Sequence, residues 1–77
     1  ADGKTEALEF VCDESTSHMD TPLKDIRWRQ HVLLCCIYHG HRVEIPNGNS
    51  LLRKGDTVVV VCDQEYRISQ LNDIFED

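Results

Sequence analysis

Two short runs decide the fold: Val32-Leu33-Leu34-Cys35-Cys36-Ile37 and Val58-Val59-Val60-Val61. Each is unbroken and apolar, and each is too short for a good helix. Turn residues bound them, His39-Gly40 after the first and Gly55-Asp56 before the second. Runs of this kind predict central strands buried on both faces. Working outward, Arg42-Val43-Glu44-Ile45 alternates, with Val43 and Ile45 set inward and Arg42 and Glu44 outward. It returns as the second arm of a hairpin, which Pro46 ends. Asn47-Gly48-Asn49 reads as a loop. Upstream, residues 6–12 place Leu8, Phe10 and Cys12 on one face and Ala7, Glu9 and Val11 on the other, the pattern of a half-buried strand. Asp20-Thr21-Pro22 reads as a helix start, a capping side chain followed by proline at the first helical position. Leu23 and Ile26 would pack from that short helix, which ends near Arg27 and Trp28. Residues 66–75 carry Ile68, Leu71, Ile74 and Phe75 at helical spacing. The expected order is β-α-β-β-β-α. It is an α+β fold with a small, mostly antiparallel four-stranded sheet and both helices on one face.

That order has a physical consequence. Two small helices can cover one face of such a sheet but not both, while the two decisive runs put aliphatic side chains on both. An isolated copy would expose a contiguous apolar patch, the usual mark of an interface. A second copy is the simplest cover, because twofold pairing needs only one self-complementary surface. A homodimer is therefore expected.

Composition fits one small globular domain over residues 1–77, with 40% apolar and 29% charged residues. At this length the stability margin is thin. Ala1-Asp2-Gly3-Lys4 reads as an upstream connection already in progress, so the domain is expected to be a piece of a longer chain. No secretory signal or membrane span is evident, which points to a cytoplasmic home. The net charge of −6 disfavours nucleic acid and anionic membrane as partners. Lys24, Arg27 and Arg29, with Arg42 a possible neighbour in space, could hold one anionic ligand.

Motifs for chemistry are missing. Four cysteines (Cys12, Cys35, Cys36 and Cys62) and four histidines (His18, His31, His39 and His41) occur without zinc-ligand spacing. Cysteines within apolar runs are expected to be buried, reduced thiols, and adjacent Cys35 and Cys36 to face opposite sides of a strand. The histidines are expected on surface loops and turns. His31 lies four residues from Cys35 along one strand, about 13 Å away and out of contact, so no nucleophile–base pair forms. Asn47-Gly48-Asn49 and Lys54-Gly55-Asp56 match no phosphate-binding loop. Trp28 reads as an amphipathic residue capping the core, with a ligand or partner contact as its sharper alternative. No catalytic residue, metal site or cofactor is expected. A zinc or thiol redox enzyme is the alternative from another class, and it would show bound metal or a reactive thiol.

Four stretches carry a resemblance when read together. They are Glu6-Ala7-Leu8-Glu9-Phe10-Val11, then Pro22-Leu23-Lys24-Asp25-Ile26, then residues 32–37 with Ile45-Pro46-Asn47-Gly48, and last Leu52-Arg53-Lys54-Gly55-Asp56-Thr57-Val58-Val59-Val60. From about Thr5 to Phe75 the chain resembles the C-terminal RCK-C module of TrkA-type potassium-uptake proteins. The resemblance implies a non-catalytic regulatory domain that forms a homodimer. It implies a cytoplasmic protein, peripheral to the inner face of the membrane, that gates a membrane potassium transporter subunit. The nucleotide-binding domain of such proteins precedes this module and is not in the chain. In some members a small anionic effector such as cyclic di-AMP sits at the dimer interface. Carried onto this sequence, that pocket falls on Ile26, Arg27, His31, Val32, Leu33 and Pro46. The same module attached to another ion or organic-anion transporter is the alternative within this class.

Overall fold

β4 (Thr57–Asp63) is the centre of the molecule, and the computed structural model describes residues 4–76 around it. The opening Ala1-Asp2-Gly3, read above as an upstream connection, and Asp77 lie outside the described residues. β4 pairs antiparallel on one side with β1 (Thr5–Val11), from Thr5 opposite Asp63 to Val11 opposite Thr57. On its other side it pairs antiparallel with β2 (Val32–His39), which turns through Gly40 into β3 (Arg42–Glu44). The sheet order is β1-β4-β2-β3. The four-stranded antiparallel sheet expected from the sequence is present.

Alternation divides the sheet into two unlike faces. Val58, Val60, Cys62 and Ile37 point to the covered face and are buried. Against them pack Leu23, Ile26, Leu52, Ile68, Leu71, Ile74 and Phe75, with Leu8, Phe10, Val32 and Leu34 at the margin. Nothing among the described residues covers the opposite face. There Val11 is 61% exposed, Leu33 62% and Val43 51%. The short β3 differs from its expected sense. Val43 pairs with Tyr38 on the open face, and Glu44, opposite buried Ile37, turns to the covered side.

The covering layer is built from 3-10 turns where the sequence suggested helices. Leu23–Asp25 forms one turn, and Ile26 beyond it is already extended. Asp20, expected as the cap, has φ 61°. The backbone N–H groups of this segment, which at a helix start lack an intrahelical partner until Lys24, bond to a distant loop. Asp20 donates to the Leu52 carbonyl (3.1 Å), Leu23 to Ser50 (3.0 Å) and Lys24 to Gly48 (2.9 Å). The loop thus satisfies the free donors at the segment's start and takes the Lys24 N–H from the helical ladder. Residues 66–75 also fall short of an α-helix. Gln64–Tyr66 and Leu71–Ile74 are separate 3-10 turns, and Arg67 between them is left-handed at φ 36°. The Asp73 carboxylate accepts the N–H groups of Ser69 (3.0 Å) and Gln70 (3.1 Å). These bonds hold its carboxyl below its ordinary range, that to Ser69 first. The periodicity still marks the buried residues, Ile68, Leu71, Ile74 and Phe75, since 3-10 turns also return a side chain to one face every three residues. Residues 74–76 then run beside residues 27–29, with Trp28 and Phe75 bridged and their rings 5.5 Å apart.

Candidate functional site

β3 meets residues 37–39 of β2, so among the described residues the first half of β2 has no strand on that side. A groove of about 370 Å³ opens there. Val32, Leu33 and Leu34 form its floor, Leu23, Lys24 and Trp28 one wall, and Pro46, Asn47 and Gly48 the other. Local chemistry fixes both walls. The Trp28 indole N–H donates to the Leu23 carbonyl (3.1 Å), which aligns the ring with the turn. Asn47 accepts the Asn49 N–H on its side-chain oxygen (2.8 Å), and its own N–H donates to Ser50 Oγ (2.9 Å), an arrangement that folds the loop back on itself. Gly48 approaches the turn so closely that a Cβ there would stand 3.2 Å from Lys24 Cβ.

The structure brings Val32, Leu33 and Pro46 of the anticipated ligand set into this groove. Ile26 faces the core, 6% exposed. Arg27 is exposed and paired with Glu76. His31, at φ 68°, stacks on Tyr66 with ring centroids 4.5 Å apart. It borders a neighbouring hollow of about 310 Å³ that Val32 and Leu33 share. The basic residues are likewise dispersed. Lys24 lines the groove, Arg29 donates to the Asp73 carbonyl at 3.3 Å, and Arg42 is exposed on β3. Lys24 was anticipated only within a basic group for an anion and Trp28 only as an alternative contact, while Leu23, Leu34, Asn47 and Gly48 were not among the anticipated ligand residues. The signal available for Trp28 was its position between two arginines just before the decisive strand.

A second constellation lies at the far end of β2. His39, expected on a surface turn, is held between two carboxylates. Its Nε2 is 2.6 Å from Glu44 and its Nδ1 2.9 Å from Asp56. Glu44 also accepts the Ser50 hydroxyl at 2.6 Å. The bond to Glu44 first, then Asp56, raises the His39 pKa against the opposing effect of burial. Glu44 is lowered in turn, by Ser50 and then His39. This cluster ties β2, β3 and the loop into β4 together. Among the described residues no group of three His, Cys, Asp or Glu side chains is placed to hold a metal ion. No helix among them is long and apolar enough to cross a membrane.

The described residues thus present one bare apolar sheet face and an apolar groove at its strand edge. The TrkA-C domain family matches residues 8–76, and the chain belongs to that family. It is also 33% identical, over 73 residues, to the Trk system potassium uptake protein TrkA homolog of Archaeoglobus fulgidus. That match takes in 95% of this chain and 16% of the relative's length, so the chain spans about a sixth of that protein. TrkA-C (RCK-C) domains are regulatory modules of potassium transport and not enzymes.

Proposed function

We propose that this chain is the self-pairing regulatory domain of a TrkA-type potassium-uptake protein, acting from the cytoplasmic side of a membrane transporter subunit. The observation that carries the reading is the bare sheet face, with Val11, Leu33 and Val43 each more than half exposed. A stable pair buries about 800 Å² on each partner, and an apolar sheet face is the surface here that can supply it. A small anionic effector, a cyclic dinucleotide by family resemblance, would sit in the groove between Trp28 and Pro46. Val32 and Leu33 would lie against its base and Lys24 would supply charge. A ligand that touched both copies would favour one relative orientation and so transmit its presence. No bound group of the domain's own is needed for this. A nucleotide-binding domain elsewhere in the full protein would receive the signal.

Sedimentation tests the pairing and calorimetric titration tests the effector. The expected result is a dimer at micromolar concentration that becomes a folded monomer in Leu33→Asp. Cyclic di-AMP should release or absorb heat with the native chain and not with Trp28→Ala. A well-folded native monomer at high micromolar concentration would remove the self-pairing reading. Absence of heat with cyclic di-AMP would remove that effector.

A further inference from the structure

Two consecutive cysteines share the open face of the sheet. β2 sets Leu34 opposite Val60 and then Cys36 opposite Val59, so Cys35 is one extra residue and the strand bulges there. Leu34 packs on the core beside buried Val60. Alternation sends Cys35 to the opposite, open side, and Cys36 lies against Val59, which is on that side as well. The bulge thus overturns the expectation that adjacent cysteines of a strand face apart. Exposure agrees, Cys35 being exposed and Cys36 half-buried. So does Tyr38, the next open-face residue of β2. Its pKa is raised by the charge of Cys36 first and by a hydrogen bond with Cys36, then by burial and by the charges of Glu9 and Cys35. Cys12 and Cys62 are buried, Cys62 on the covered face, and cannot join the pair.

We propose that Cys35 and Cys36 form a two-thiol site on the open sheet face for thiophilic species that take two sulfur ligands, trivalent arsenicals above all. Consecutive Cα atoms are about 3.8 Å apart. Two thiols leaving the same side can therefore reach one arsenic by choice of rotamer. With phenylarsine oxide, each thiol gives its proton to the oxide oxygen. Two As–S bonds form, the arsenic–oxygen bond breaks, and one water leaves, with arsenic trivalent throughout. The site lies on the face assigned to self-pairing, so occupation and pairing oppose each other by linkage.

Intact mass spectrometry of the chain in dilute solution with phenylarsine oxide tests the site. One equivalent is expected, mapped by fragmentation to the Cys35-Cys36 peptide. It should survive a monothiol wash and leave with a dithiol. Cys35→Ser, at an exposed position, keeps one thiol and loses the second attachment, which weakens retention against the monothiol by about 100-fold or more. Three outcomes would each overturn the proposal. They are no adduct, an adduct on Cys12 or Cys62, and a native adduct stripped as readily as that of Cys35→Ser. Because the mapping uses the native chain, the test stands even if a variant fails to fold.

Discussion

Both ring nitrogens of His39 face carboxylate oxygens, and a neutral imidazole has a single N–H to offer. The folded protein therefore favours the protonated ring, in keeping with its raised pKa. The linkage has a definite sign. This contribution is fully present below the ordinary histidine range near pH 6.5 and is lost as pH rises through the higher folded value. Glu44 acts oppositely, its contribution being lost as pH falls through its lowered value. Thermal melting of the native chain should fall as pH rises from about 6 to about 8, below the thiol range, and most of that slope should vanish in His39→Gln. An unchanged slope in that variant would assign the effect to another group. The thiols give a second expectation at this scale. Burial first, then Asp56 and Asp13, pushes Cys12 up to about 11, so Cys12 should resist alkylation of the folded protein while exposed Cys35 reacts. Comparable rates at the two positions would contradict their placement. The sequence could not show the His39 clamp, because Asp56 comes from a loop seventeen residues away and only the sheet register brings it into contact.

The strands were legible as elements because period-two alternation and unbroken apolar runs are local signals. Residues 6–12 came out as expected, with Leu8, Phe10 and Cys12 inward. The covering turns were not legible, because their hydrogen bonds go to a distant loop. The β2 bulge was equally hidden, since nothing in Leu34-Cys35-Cys36 announces an extra residue until β4 lies alongside. The groove was partly legible, since Val32, Leu33 and Pro46 came through the family resemblance, whereas Lys24 and Gly48 meet only by tertiary contact. Gly48→Ala should therefore destabilise slightly, by about 1 kcal/mol or less, as the added methyl presses the loop against Lys24. Urea denaturation of that variant would measure the cost, and an unchanged midpoint would show that the loop yields freely. Ile37→Ala, at a fully buried position of β2, should cost about 2–5 kcal/mol in the same experiment.

At the scale of the whole molecule the sheet keeps one dry side and one bare side. That asymmetry, expected from the surplus of aliphatic residues over covering elements, joins the fold to its proposed role. Adding a charge at Leu33 should abolish association while leaving the far-ultraviolet spectrum intact, because Leu33 points away from the core. The pairing pattern also bears on how the chain acquires its shape. β1 finds its partner far downstream, from Val11 opposite Thr57 to Thr5 opposite Asp63, and none of the described helical segments is longer than the four residues Leu71–Ile74. No local nucleus of helix is available, so the first productive event has to bring distant segments of the chain together against loop entropy. For its size the domain should refold slowly, over milliseconds to seconds. Stopped-flow refolding would detect this, and microsecond kinetics would mean that some local structure forms before the ends meet.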